Sequence, residues 1–296
     1  LDAVKDLGAE VELCGATFDE AYARAREHEA SRGLVMVPPF DHPDVIAGQG
    51  TLGLEILDEV PDAGTVLVSV GGGGLISGVA AAIKARRPDV RVVGVVAQGV
   101  PSLPRSLDAG RIVEAPSIST IADGIAVKRV GSYCFPMIQQ LVDQVVTVSD
   151  DHMAHAILSL LERERMLAEA AGAAPLAALL ERRARVNGKV VALVSGGNLD
   201  VNLLSRIIGK GLALAHRYAR VQVPLHDVPG ALAKLSKAVA ECRVNIIHIE
   251  HDRLSTQVPI NHTLSTLHLE LRGRDHLETL IQRLVAEGYE VRREGS

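Results

Sequence analysis

Residues 65–83 join a run of β-branched residues to four consecutive glycines and then to a helical pattern. Residues 65–70 predict a buried strand, the glycines occupy 71–74, and apolar residues recur at helical spacing from Leu75. A strand that ends on glycines at a helix start exposes backbone N–H groups around one point, with no side chain to block an anion. The segment predicts a parallel sheet with a phosphate-binding turn. A plain flexible turn is the alternative, since the spacing matches neither the dinucleotide motif nor the P-loop.

The alternation of short strands and longer helices extends over residues 1–210. It is typical of βαβ units and of an α/β fold with a mostly parallel sheet. Six strands are predicted there, at 11–13, 34–37, 65–70, 90–96, 144–148 and 189–194. Residues 216–296 change rhythm and predict the ferredoxin-like order βαββαβ. Its strands are expected at 218–225, 244–251, 262–271 and 289–292, and its helices at 229–240 and 274–287.

Composition narrows the class of partner. The 296 residues are 47% hydrophobic, which is enough for a core in each of two domains. The formal net charge of -5 provides no electrostatic footprint for nucleic acid or for an anionic membrane, and no apolar run is long enough to span a bilayer. Cys14, Cys134 and Cys242 lie far apart, without the spacing of a disulfide framework or a zinc site. We therefore expect a small-molecule partner and a reducing cytoplasm.

A second strand end resembles the first in its chemistry. Residues 189–194 are followed by Ser195, Gly196, Gly197 and Asn198. Ligands of open α/β sheets bind at the carboxyl ends of the strands, so both glycine turns could face one crevice. The alternative is that Ser195 and Asn198 only cap the next helix.

Five segments, 39–41, 45–51, 71–76, 120–128 and 195–198, occur in the order and approximate spacing of a known family. They resemble fold type II pyridoxal-phosphate enzymes of the threonine and serine dehydratase group, whose fold is similar to the tryptophan synthase β subunit. The resemblance implies that residues 1–210 are the carboxy-terminal portion of a threonine dehydratase (threonine ammonia-lyase) catalytic domain. The implied cofactor is pyridoxal 5'-phosphate, and the implied substrate is L-threonine, with L-serine as an alternative.

The resemblance also implies roles for individual residues. The backbone amides at the glycine turn would hold the cofactor phosphate, Phe40 would pack near its ring, and the Ser195 hydroxyl would bond the pyridine nitrogen. Glu169 matches a position where a carboxylate points towards the active site, although an exposed helix-face glutamate is the plainer interpretation. Relatives often carry a cation-binding glutamate where Val96 stands here, so no metal is expected. The implied cofactor-binding set is Phe40, Gly71, Gly72, Gly73, Gly74, Leu75 and Ser195.

The family's Schiff-base lysine and its substrate-carboxylate loop are not found in this sequence. Of the seven lysines, none has the family context, and Lys128 is the least implausible substitute; they are Lys5, Lys84, Lys128, Lys189, Lys210, Lys234 and Lys237. We therefore expect a segment upstream of Leu1 and an inactive 296-residue chain. Rival interpretations are a serine dehydratase or serine racemase of the same fold, and a non-catalytic amino-acid sensor.

Residues 216–296 resemble an ACT module of the type fused to dehydratases. The resemblance rests on segments 223–232, 245–247 and 250–253, in which an Asp-x-Pro-Gly turn leads into a helix N-terminus. It implies an amino-acid effector, isoleucine or valine, bound at a subunit interface of a homo-oligomer. The implied effector residues are Asp227, Pro229, Gly230, Ala231, Leu232, Asn245 and Ile246. His248, His251 and His262 are assigned no metal, because histidines at strand spacing are usually sheet residues.

Overall fold

A computed structural model describes residues 2–15, 18–116 and 119–293 of the chain. Among the described residues up to Leu214, a parallel sheet has helices on both faces. The helices are α1 (Asp2–Asp6), α2 (Phe18–Arg32), α3 (Pro43–Glu59), α4 (Gly74–Arg86), α5 (Ser102–Ala109), α6 (Cys134–Leu141), α7 (Asp150–Ser159), α8 (Ala170–Leu180) and α9 (Val201–Leu214). The strands are β1 (Ala63–Ser69), β2 (Arg91–Ala97), β3 (Gln144–Val148) and β4 (Lys189–Ala192).

The sheet has the order β3-β2-β1-β4, with every neighbouring pair parallel. Central strand β1 is buried on both faces, which explains why three consecutive apolar side chains occupy 66–68 without polar alternation. Val66 and Val68 pack with α3, α4 and α6 on one face, while Leu67 packs with α7 and α8 on the other. The carboxyl ends of β1 and β4 therefore lie side by side at one edge of the sheet.

The predicted strands divide into four that are present and two that are not. Strands are found at β1, β2, β3 and β4, close to their predicted bounds. Residues 11–13 and 34–37 are not strands, and Leu13, Val35 and Val37 are 77%, 89% and 78% exposed. These predictions were wrong because a β-branched run becomes a strand only when a neighbouring strand satisfies its backbone, and neither segment has one in the described part of the chain.

Residues 218–293 form a second, antiparallel sheet. Its elements are β5 (Tyr218–His226), α10 (Ala231–Glu241), β6 (Asn245–Asp252), β7 (His262–Glu270), α11 (Arg274–Ala286) and β8 (Arg292–Arg293). The strand order is β6-β7-β5-β8, so the predicted βαββαβ pattern is present, although β8 has only two residues. Leu235, Leu267 and Leu280 form the centre of a core between this sheet and its two helices. No helix in the described ranges is long and apolar enough to cross a membrane.

Helix α9 connects the two sheets. It leads through a short turn to Arg217, whose guanidinium pairs with Glu162 in a π-helical turn, Leu160–Glu164. Gly211 on α9 lies close against the Leu158 side chain of α7, where an added Cβ would come within 2.3 Å. The helix is therefore packed against the first sheet's helices rather than acting as a free linker.

Candidate active site

A cavity of about 410 Å³ opens at the carboxyl ends of β1 and β4. The residues that the sequence singled out line it together: Phe40, Gly71, Gly72, Gly73, Gly74, Leu75, Glu169 and Ser195. The remaining wall residues are Pro39, Val45, Gln49, Ser69, Asp123, Gly124, Ile125, Ala126, Val127 and Ala171. The two glycine turns thus face one crevice, as the topology of a parallel sheet predicts.

The glycine turn at 71–74 admits no side chain. Gly73 has φ +102° at the N-cap of α4, in the left-handed region that favours glycine. A Cβ at Gly72 would lie 2.3 Å from the Phe40 ring, and one at Gly74 would lie 2.8 Å from the Phe40 carbonyl oxygen. The first N–H groups of a helix have no intrahelical partner. The turn therefore offers backbone donors and a helix N-terminus to an anion, with the Phe40 ring beside it.

The other side of the cavity is the chain that leaves β4. Ser195 lines the cavity, and its carbonyl oxygen would be 1.6 Å from a Cβ at Gly172, so α8 packs tightly against this turn. The alternative role of Ser195 and Asn198 as helix caps is wrong. Helix α9 begins at Val201, and the Asp200 carboxylate accepts from the N–H groups of its first turn. Ser195 is instead a residue of the cavity wall.

Glu169 lies against the same turn and not on a free helix face. Its backbone N–H donates to the Gly196 carbonyl oxygen at 3.2 Å. Its carboxyl oxygen would be 2.0 Å from a Cβ at Gly196 and 3.1 Å from one at Gly124. Burial raises the pKa of Glu169, and the negative charge of Asp123 raises it further. The surroundings of the carboxyl group therefore disfavour its ionised form relative to that of an exposed glutamate.

Asp123 also lines the cavity, although the local sequence predicts no role for it. It begins a 3-10 turn, Asp123–Ile125, within the 120–128 segment. Asp150 fixes this segment by accepting from the Thr120 hydroxyl at 2.7 Å and from the Ile121 N–H at 3.2 Å. The return of this loop to the cavity could have been inferred from the family motif, but not from a lone aspartate in an irregular stretch.

No lysine is among the described residues that line the cavity. Lys84 pairs with Asp143 at 2.8 Å, Lys189 with Asp62 at 2.8 Å, and Lys210 with Asp151. The described ranges also contain no group of three or more metal-ligating side chains suited to a metal ion.

The seven residues assigned to an effector lie at opposite ends of the second sheet. Gly230, with φ +87°, ends the turn before α10, and Asp227 in that turn pairs with Arg253 at 3.1 Å. The turn follows His226, which is opposite His262 at the start of β7. Asn245 is opposite Glu270 at the end of β7. Within one chain, these two groups are therefore not brought together.

Comparisons with known proteins give a consistent result. The family model described as pyridoxal-phosphate dependent enzyme matches residues 1–196. An L-threonine ammonia-lyase of Geobacter sulfurreducens is 50% identical over 290 residues, which are 98% of this chain and 72% of that protein. The structure of a processed threonine deaminase from Solanum lycopersicum is 41% identical with a TM-score of 0.66, covering 70% of this chain and 58% of that one. Maize serine racemase is 33% identical with a TM-score of 0.65, covering 73% and 67%.

Proposed function

The chain belongs to the pyridoxal-phosphate dependent enzymes, and from that membership we propose that it carries the cofactor and substrate chemistry of a threonine ammonia-lyase. The reaction converts L-threonine to 2-oxobutanoate and ammonia by β-elimination. The observation that carries the proposal is the shared cavity, whose wall includes both the side-chain-free glycine turn at 71–74 and Ser195. We propose L-threonine, and not L-serine, as the substrate because the 50% identity to the L-threonine ammonia-lyase of Geobacter sulfurreducens extends over 98% of the chain.

The residues present fit the cofactor at both ends. Glycines at 72 and 74 allow Phe40 to pack directly on the turn, because a Cβ at either position would meet Phe40. The turn thus presents backbone groups, and no side chain, to a phosphate. When bound, pyridoxal 5'-phosphate supplies an electron sink for the electron pair left by the α-proton. Ser195 would donate to or accept from the ring nitrogen without forcing a charge on it, unlike a carboxylate. Burial and the negative charge of Asp123 raise the pKa of Glu169, so its surroundings disfavour a negative charge there relative to an exposed glutamate.

The proposed phosphate site at 71–74 is tested by measuring the affinity of the chain for pyridoxal 5'-phosphate in a spectroscopic titration. We expect Gly72→Ala to weaken binding by at least about tenfold, because its Cβ must displace the Phe40 ring. Gly48→Ala is the matched control, since nothing lies within 4 Å of a Cβ there. Equal affinities of wild type and Gly72→Ala would contradict the proposed phosphate site.

The absence of a lysine from the described cavity wall leads to a separate expectation. The 296-residue chain should hold the cofactor without a covalent bond and should not deaminate L-threonine by itself. Borohydride reduction followed by mass spectrometry of the protein measures this directly. A reduced adduct on Lys128, or on any other lysine, would overturn the expectation while leaving the proposed phosphate site intact.

We further propose that residues 216–296 are an ACT regulatory domain that binds isoleucine or valine. The βαββαβ order and the Asp227–Gly230 turn at the start of α10 support this assignment. Because Asn245 lies at the other end of the sheet, a site that uses both groups requires a second copy of the chain. Calorimetric titration with isoleucine, combined with sedimentation, should show binding that depends on dimer formation. Tight binding to a monomer would contradict the shared site.

A further inference from the structure

We propose that Asp41 is a positioning residue for the phosphate-binding turn at 71–74. Its carboxylate ties the segment that carries Phe40 to the N-terminal end of α6, and that end in turn holds the glycine turn in shape. The inference rests on the proposed function only in taking the turn as a phosphate site. Asp41 itself is not among the residues that line the cavity.

The Asp41 carboxylate accepts four hydrogen bonds from the start of α6. The Ser132 backbone N–H and hydroxyl donate to Oδ2 at 2.7 and 2.8 Å. The Tyr133 and Cys134 N–H groups donate to Oδ1 at 2.9 and 3.3 Å. A carboxylate at a helix N-terminus satisfies donors that have no partner in the helix and complements the helix dipole. Both oxygens are used, so the carboxylate has one orientation.

The start of α6 is also the support of the glycine turn. The Gly131 N–H donates to the Gly72 carbonyl oxygen at 2.9 Å. A Cβ at Gly73 would lie 2.8 Å from the Cys134 Cβ, and one at Gly131 would lie 2.2 Å from the Asp41 carboxylate. The carboxylate, the helix start and the turn are therefore packed without space for an added methyl group.

Phe40 closes the arrangement from the opposite side. Its ring lies on Gly72, and its carbonyl oxygen lies beside Gly74. Phe40 and Asp41 thus have complementary roles, because Phe40 packs on the glycine turn while Asp41 holds the start of α6. The turn is fixed between Phe40 and α6, and only Asp41 connects the two by side-chain hydrogen bonds among the described contacts.

The charge of Asp41 is compatible with a neighbouring phosphate. Burial acts to raise the pKa of Asp41, but hydrogen bonds from Ser132, Tyr133 and Cys134 outweigh it and hold the pKa below its usual range. The carboxylate therefore stays ionised, and its negative charge is directed at the N–H groups of α6. The nearby Cys134 thiol stays protonated, because burial raises its pKa to about 12 and the Asp41 charge acts in the same direction.

The test compares Asp41→Ala and Asp41→Asn with Asp44→Asn in the 296-residue chain. Asp44 is three residues away and its side chain is 94% exposed, so it controls for the loss of a negative charge in this region. Amide hydrogen exchange is measured without any cofactor. We expect exchange at 72–77 and at 131–135 to accelerate about tenfold or more in Asp41→Ala, and less in Asp41→Asn, which keeps one acceptor oxygen. Asp44→Asn should leave both regions unchanged.

The second readout is the ratio of the affinities for pyridoxal 5'-phosphate and for pyridoxal, which lacks the phosphate. We expect Asp41→Asn to reduce this ratio about tenfold, because a displaced turn loses phosphate contacts. Faster exchange confined to 132–134, with the ratio unchanged, would overturn the proposal and leave Asp41 as a helix cap only. If the wild-type chain binds pyridoxal 5'-phosphate no more tightly than pyridoxal, the proposed function is refuted. The amide exchange rates at 72–77 in the Asp41 variants would still decide whether Asp41 orders the turn. If circular dichroism shows that Asp41→Ala does not fold, both measurements are made on Asp41→Asn.

Discussion

At the scale of single residues, Glu169 is a group whose ionisation opposes folding. Burial and the charge of Asp123 raise its pKa above the ordinary value of 4.5. A carboxyl group with a higher pKa in the folded chain contributes stability that is complete below the unfolded value. That contribution is lost as the pH rises through the folded pKa. We therefore predict that Glu169→Gln is more stable than wild type at pH 8, and that the difference narrows as the pH falls towards 4.5.

Urea denaturation at several pH values measures this difference in the free energy of unfolding. The control is Glu164→Gln, since Glu164 is exposed and lies five residues away in the same segment. A stability difference for Glu169→Gln that does not change with pH would show that the carboxyl group is not desolvated as described.

The Cys14 and Cys134 thiols should differ in reactivity because their environments differ. Cys134 is fully buried with a pKa of about 12, whereas Cys14 is exposed. Only the thiolate reacts, so at pH 8 the thiolate fraction of Cys134 is about a thousandfold below that of a thiol with the ordinary value of 9.0. We predict fast labelling of Cys14 and slow labelling of Cys134 in the native chain, followed by mass spectrometry. Cys14→Ser should remove the fast phase, and a fast phase that persists would contradict the assignment.

At the scale of elements, helices α3 and α4 approach closely at glycines. A Cβ at Gly53 would lie 2.8 Å from the Val79 carbonyl oxygen of α4, whereas Gly48, on the same helix, has nothing within 4 Å. We predict that Gly53→Ala destabilises the chain by about 1–3 kcal/mol through overpacking. Gly48→Ala should stabilise it by about 0.5–1 kcal/mol through helix propensity. Thermal unfolding of the two variants measures both effects, and equal shifts would show that the helices are not in close contact.

The sequence predicts some elements of the fold and of the site, but not others. Strand β1 and its glycine turn were predictable because burial on both faces, a strand end and a helix start are local patterns. Residues 34–37 carry an equally strong local pattern but form no strand, since pairing is decided by distant residues. Asp41 was likewise hidden, because its donors at Ser132 and Tyr133 are about ninety positions away along the chain. Local chemistry predicted the two glycine turns, the family resemblance added Phe40 and Glu169, and the support behind the cavity required coordinates.

At the scale of the whole molecule, two sheets have separate hydrophobic cores. The cores around Leu67 and around Leu267 share no residue. Between them, Arg217 pairs with Glu162, and each side chain is 44% exposed. Exposed ion pairs contribute about 0–1 kcal/mol, which is too little to make two cores unfold as one.

We therefore predict two unfolding transitions in calorimetry, each belonging to one sheet. Leu67→Ala should lower the midpoint of one transition and Leu267→Ala that of the other, because each removes a fully buried side chain at a cost of about 2–5 kcal/mol. Pyridoxal 5'-phosphate should raise only the midpoint that Leu67→Ala lowers, since a ligand stabilises the unit that binds it. Isoleucine should raise only the other. A single transition moved by both substitutions would mean that α9 and its contacts join the sheets into one cooperative unit.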